Sequence, residues 1–153
     1  MTTTRKALAA SFIVVALVEL FWVSLFLVGY GSMGSGGVYL VAHTVTAALL
    51  LFGAVLVWRG SPRWAIPVAL GSLGYLIVVS PVVLKWVLTG DLGLFWRYAT
   101  TTVAHDDVSF WLKFDIVVFQ CAIPTYFFCT LVLIACRALL PLGNHLRRSA
   151  HEG

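Results

Sequence analysis

The sequence predicts an all-α integral membrane protein: a four-transmembrane-helix bundle with both termini cytoplasmic and a short interfacial element in the third link. Three observations carry this expectation. The 153 residues are 61% hydrophobic and only 10% charged, against roughly 25% charged in an average soluble domain. The apolar residues gather in four runs, each near or above the ~20 residues needed to cross ~30 Å of hydrocarbon. Lysine and arginine sit at the ends of those runs, where they anchor membrane helices. A water-soluble globule of this size could not bury so much apolar surface, and the mean hydropathy of +0.98 says the same. The net charge of +4 is not drawn into one stripe, so no nucleic-acid partner is expected.

The first run covers about residues 7–30, behind Arg5 and Lys6. It is longer than the ~7–15 residues of a signal-peptide core and no small-residue cleavage box follows, so it reads as a retained span. The second run covers about residues 38–58 and the third about 64–88. Between them Ser61-Pro62 marks a sharp turn, which makes these two helices antiparallel neighbours. The fourth run covers about residues 109–136, and residues 137–153 read as a cytoplasmic interfacial tail broken by Pro141 and Gly143. Helix is the state expected of all four, because in lipid each backbone N–H and C=O must be paired within its own segment.

The links differ in character. Gly29-Tyr30-Gly31-Ser32-Met33-Gly34 has the letters of a dinucleotide-binding loop. It follows a membrane helix rather than a strand, and reads as a tight turn. The third link, about residues 89–108, is long for a simple connection. Its Leu92, Phe95, Trp96 and Tyr98 suggest a short element in the outer interface.

Orientation follows from the basic residues. Arg5 and Lys6, then Arg59 and Arg63, then Arg137, Arg147 and Arg148 all fall on one side, while the other holds Arg97 beside Asp91, Asp106 and Asp107. The arginine-rich side is expected to be the cytoplasm, and in a prokaryote the membrane would be the plasma membrane. Cys121, Cys129 and Cys136 lie in one apolar run without CxxC or Cys/His zinc spacing. They are expected to be reduced and to pack as small hydrophobes.

Packing cues are the small residues and the prolines. Ala65, Ala69, Gly71, Ser72 and Gly74 on helix three invite close approach of another backbone, as do Ala42, Thr46, Ala47, Gly53 and Ala54 on helix two. Helix one carries Phe12, Leu20, Phe21, Trp22, Phe26 and Leu27, a bulky surface suited to lipid or a partner. Pro67 falls in a first turn, whereas Pro81 and Pro124 are expected to kink helices three and four.

Candidate functional residues are the ionisable groups inside the spans, each costing roughly 2.5–3.5 kcal/mol on insertion scales. Glu19 lies near the middle of helix one, with Gln120 at a similar depth on helix four. His43 is about two turns inside the outer end of helix two, and Lys85, Lys113 and Asp115 are nearer the outer surface. His105, Asp106 and Asp107 continue this polarity into the outer link. A scaffold reading lets Lys85 and Lys113 snorkel, pairs Asp115 with one of them, and hydrogen-bonds Glu19 to Gln120 or a carbonyl. A functional reading lets Glu19, His43 and Asp115 line a polar cavity for protons, a small cation, or the headgroup of a quinone or lipid. His43 also admits haem ligation, and with His105, Asp106 and Asp107 a metal site, although no diagnostic spacing supports either. Ser11, Ser24 and Ser80 have no base at a suggestive spacing, so no catalytic set emerges and an enzyme is not favoured.

The lone midplane glutamate followed three residues later by an aromatic, Glu19 and Trp22, resembles helix one of the small multidrug transporters. The resemblance covers that helix only; this chain is longer, with a long third link and a strong charge bias. It implies a proton-exchanging role for Glu19. The leading expectation is a non-catalytic accessory subunit of a larger membrane complex, with an energy-converting assembly as one option and with the bilayer and other membrane subunits or further copies as partners. The alternatives are a small homo-oligomeric proton- or cation-coupled transporter using Glu19, and a haem-, metal- or quinone-holding anchor using His43.

Overall fold

The computed structural model describes residues 2–29, 36–79, 89 and 110–149. Every element among them is helical. Helix α1 spans Thr3–Gly29 and α2 spans Gly36–Trp58; after a 3-10 turn over Pro62–Trp64, α3 runs Ala65–Val78. The last leg is one continuous helical run made of α4 (Phe110–Asp115), a π-helical segment (Ile116–Ala122) and α5 (Ile123–Ser149). Three helical stretches are long and apolar enough to cross a membrane: Thr3–Val28, Gly37–Trp58 and Val117–Leu139. The third apolar run is described as far as Val79, and Pro81, Lys85 and most of the long link lie outside the described residues.

Contacts at several levels fix the direction of each leg. Arg5 packs on Gly60 and Glu19 on His43, so α1 and α2 are antiparallel. Gly53 meets Val68, Gly71 meets Leu49, and the rings of His43 and Tyr75 meet edge-on, so α2 and α3 are antiparallel too. Arg137 lies over Trp64 and Phe127 beside Tyr75, which makes α5 antiparallel to α3. A hydrogen bond of 3.1 Å between the hydroxyls of Ser11 and Tyr126 closes the ring of legs between α1 and α5.

The α2–α3 turn is written in local chemistry. Gly60 adopts φ 71°, a left-handed conformation that costs other residues a Cβ clash. The Gly60 and Ser61 N–H groups then donate to the carbonyls of Val57 (3.0 Å) and Leu56 (2.9 Å), a Schellman closure of the helix end. Ser61 turns extended and accepts from the Arg63 N–H at 3.3 Å, while Pro62 starts the 3-10 turn where a missing N–H costs nothing.

The buried seams are spaced for helices crossing at shallow angles. On α1 the inward residues are Ala9, Phe12, Ala16 and Glu19; on α2 they are His43, Ala47, Leu50, Ala54 and Val57. Steps of three and four residues repeat in both, the pattern that keeps one stripe of a helix against its neighbour. Large aliphatics such as Val14, Leu17 and Leu27 point outward instead. With lipid as the outer solvent, close van der Waals fit between small residues brings the helices together, since burying apolar surface gains little there. Phe12, expected on the outer surface of helix one, is fully buried and 5.8 Å (centroid to centroid) from the Trp64 ring. It fills the space that Ala9 and Ala16 leave on either side.

Two further expectations are refined. Pro124 disturbs the last leg through the π-helical segment that immediately precedes it, since a proline cannot donate to the ladder and a widened turn relieves its ring's clash with the preceding turn. Thr125 donates to the Cys121 carbonyl (2.7 Å) on the same stretch. Pro141 and Gly143 do not break the helix, which continues to Ser149; strong helix formers on both sides, Ala138-Leu139-Leu140 and His145 to Arg148, carry it through. All three cysteines are free, with Cys121 buried and Cys129 and Cys136 exposed.

The tightest glycine contact among the described residues yields a stability prediction. A Cβ on Gly53 would stand 2.4 Å from the Cγ2 of Val68, a short branched group that is itself fully buried. Gly53→Ala should therefore cost about 1–3 kcal/mol. Gly74→Ala, where a Cβ meets nothing within 4 Å, should be neutral or slightly stabilising. Thermal unfolding of both variants in one detergent checks the contrast.

Candidate functional site

The structure brings Glu19 and His43 together. Glu19 lies in the middle of α1 and His43 two turns into α2, so an antiparallel pairing of these helices faces one toward the other. Glu19 Oε2 and His43 Nδ1 form a direct hydrogen bond. Both residues are enclosed, Glu19 at 0% exposure and His43 at 1%. The scaffold reading gave Glu19 a partner in Gln120 or a carbonyl and the functional reading set it with His43 and Asp115 in one cavity; the described contact of Glu19 is with the imidazole. The reason is register: the seam that sets Ala9 and Phe12 against α2 carries Glu19 to the level of His43.

Aromatic rings surround the pair. Trp22, one turn beyond Glu19, stacks on the His43 ring with centroids 4.0 Å apart and planes 22° from parallel. Tyr75 and Phe119 approach the same imidazole edge-on, at 5.4 Å and 6.0 Å. Indole on the face and two ring edges at the sides form a low-dielectric box, in which an imidazole keeps its orientation and electrostatic contacts strengthen.

Tyr75 connects this box to the irregular part of the last leg. In a π-helical register the carbonyl of Phe119 looks toward the N–H of residue 124, which is a proline and has none. The Tyr75 hydroxyl supplies a donor to that carbonyl at 3.1 Å, so the ring held against His43 is also the side chain that satisfies the widened turn.

Two polar atoms stand apart. Glu19 Oε1 and Ser72 Oγ are buried and have no hydrogen-bond partner among the described residues. Other hydroxyls in the bundle bond back to their own helix: Ser24 to the Phe21 carbonyl (2.7 Å), Thr44 to that of Leu40 (2.8 Å), Thr130 to that of Tyr126 (2.8 Å). That is the usual way a hydroxyl is satisfied in an apolar setting. Glu19 Oε1 and Ser72 Oγ depart from that pattern among the described residues, and the Glu19 oxygen gives the pair spare coordinating capacity.

Other sequence candidates are not brought to the pair by the described residues. Asp115 ends α4 and Gln120 falls in the π-helical segment, but their side chains are outside the description. Lys113 is half-buried on α4. Lys85, His105, Asp106 and Asp107 lie outside the described residues altogether. Among the described residues no three His, Cys, Asp or Glu side chains gather as a metal-binding set. His43 is engaged by Glu19 through Nδ1 and stacked on one face by Trp22, so any haem or metal ligation would fall to Nε2.

Reading along the chain missed Tyr75 and Phe119 as parts of the site. Tyr75 had a signal: it is the one tyrosine in the third apolar run, and a phenol in hydrocarbon must find an acceptor. Phe119 had none, since it acts through its backbone carbonyl. No protein-family model, curated protein or solved structure matches the chain.

The pair makes two measurements informative. Glu19→Leu or His43→Leu alone should cost about 1–3 kcal/mol, because each strands a buried polar group. The double variant should cost less than the sum of the two. Tyr75→Phe should cost about 0.5–1.5 kcal/mol by removing the donor to Phe119. Detergent unfolding midpoints report all four.

Proposed function

We propose that the protein crosses the membrane four times with both termini in the cytoplasm, and that the Glu19–His43 pair is the proton-exchanging centre of a small proton- or cation-coupled transporter. The topology is supported by which residues share an end of the bundle. Arg5, the α2–α3 turn and Arg137 line one cleft, so α3 must lead the chain away from that end and the last leg must bring it back. Arginine enrichment assigns that end to the cytoplasm.

The observation that carries the function is the partly unsatisfied pair. With one proton shared between Glu19 Oε2 and His43 Nδ1, the pair has no net charge and is cheapest to keep in an apolar core. Loss of that proton leaves one negative charge, which a second proton or a small cation must neutralise. Glu19 Oε1 is an acceptor facing into the protein and ready to receive it. Exchange of one positive species for another at a buried carboxylate is the elementary step of coupled transport.

The test is flux. Reconstituted in liposomes holding a pH-sensitive dye, the wild-type chain should dissipate an imposed proton gradient faster than empty vesicles. Glu19→Gln, nearly isosteric, should return the rate to the empty-vesicle level while the helical content is retained. An inactive wild type, or a Gln variant as fast as wild type, would refute the transport role.

A second reading is favoured by one observation. Helix α1 is the least covered of the long helices, with only 17% of its most apolar window buried, and Phe21 and Leu25 on its outer side. Such a face suits an accessory subunit packed against a larger membrane complex, with Glu19–His43 acting only as a register lock. Native purification in mild detergent followed by mass spectrometry distinguishes the two: a constant co-purifying set of membrane subunits, with no flux from the chain alone, supports the subunit.

A further inference from the structure

At the end of the bundle where α1 begins and α2 ends, a cleft of about 190 Å³ opens between the start of α1, the α2–α3 turn and α5. Its polar lining is Arg5, Arg137, Thr4 and Ser61, with Trp64 as a wall, and none of the described residues lining it is a carboxylate. The two guanidinium groups are positioned by the fold. Arg5 lies against Gly60, so closely that a Cβ there would stand 2.9 Å from Nη1. Arg137 lies over the Trp64 ring at 5.7 Å from its centroid. Neither is given an acidic partner among the described residues, whose one acid–base contact is that of Glu19 with His43 in the core.

We propose that this cleft binds the phosphate of an anionic phospholipid, with Arg5 and Arg137 as its clamp. Planar guanidinium groups suit a phosphodiester because each offers parallel N–H donors. Thr4 adds a hydroxyl, and Ser61, which uses its oxygen to accept from Arg63, keeps its own proton to donate. The depth is right for a lipid: the cleft sits where the apolar stretches of α1, α2 and α5 end, at headgroup level, and Trp64 has the amphipathic character of an interfacial residue. Leu8 and Val57 line its apolar part and meet the start of an acyl chain. A volume below the ~300–1,000 Å³ of drug-sized sites suits a headgroup. A choline headgroup would add a cation beside two arginines, whereas a glycerol headgroup would not, so the expected ligand carries net negative charge.

The experiment uses the full chain, delipidated in mild detergent and titrated with phosphatidylglycerol, phosphatidylcholine or inorganic phosphate. Native mass spectrometry counts bound lipid and thermal unfolding reads stabilisation. Phosphatidylglycerol should be retained about tenfold more tightly than phosphatidylcholine. The Arg5→Gln/Arg137→Gln double variant should lose that preference to within about twofold, and Arg5→Lys should keep part of it. Should the double variant not fold, Arg5→Gln alone, at an exposed helix start, must still reduce the preference severalfold. Equal retention of the two lipids, or a preference untouched by the glutamine variants, overturns the proposal. Saturating stabilisation by inorganic phosphate alone also overturns it, by assigning the clamp to a free anion.

Discussion

An ionisable pair enclosed by hydrocarbon-like packing governs this bundle. A carboxylate or an imidazolium alone in such a place costs several kcal/mol, and the cost disappears only when the two meet with good geometry. Glu19 and His43 meet because α1 and α2 run antiparallel in one register, and a one-residue slip would turn Glu19 toward lipid. The pair therefore does for α1 and α2 what a polar core residue does in a coiled coil: it penalises every other alignment. The apolar contacts bring the helices close, and the polar contact chooses where they stop.

Close approach is the second condition, and small residues provide it. Gly53 receives the Val68 side chain and Gly71 that of Leu49, so a side chain from only one helix separates α2 and α3 at each point. This brings Tyr75 to the edge of His43 and its hydroxyl to the Phe119 carbonyl. A bulkier α2–α3 interface would withdraw Tyr75, and the π-helical turn ahead of Pro124 would lose its outside donor. Packing at the arginine end and hydrogen bonding near the pair are thus linked through one rigid helix.

Legibility in the sequence followed the physics of the outer solvent. The helical class and the α2–α3 turn were readable, because long apolar runs and Ser61-Pro62 are local signals. Which face each helix buries was less readable. In α1 and α2 apolar residues appear on every side, so hydrophobic periodicity has nothing to contrast with. The contrast lies in size and polarity: Ala9, Ala16, Ala47 and Ala54 turn inward while Val14, Leu17 and Phe52 turn outward. The small residues of α2 and α3 were recognised as packing surfaces, but Phe12 was assigned outward on bulk alone. Glu19 and His43 could be set in one polar cavity, but their direct contact could not be read, since nothing local encodes a contact 24 residues apart. The irregular turn at Ile116–Ala122 was readable only as disturbance at Pro124, because its form depends on Tyr75 from another helix.

Position along the bundle axis explains why the pair must neutralise itself. Arg5 and Glu19 are fourteen residues apart on one helix, which at 1.5 Å per residue is roughly 21 Å. At that separation and an effective dielectric of 20, two unit charges interact by less than about 1 kcal/mol, against about 4 kcal/mol for charges 4 Å apart. The layer between them is built mainly on Ala9, Phe12, Leu50 and Val68, and the polar groups it contains, Thr46, Ser72 and the Ser11–Tyr126 pair, are hydroxyls that bring no positive charge toward Glu19. The arginine end cannot stabilise a negative charge on Glu19, so that charge is balanced within the aromatic box or not at all. His43 is the one titratable partner the described residues place there, and whatever positive species replaces its proton must reach the same box.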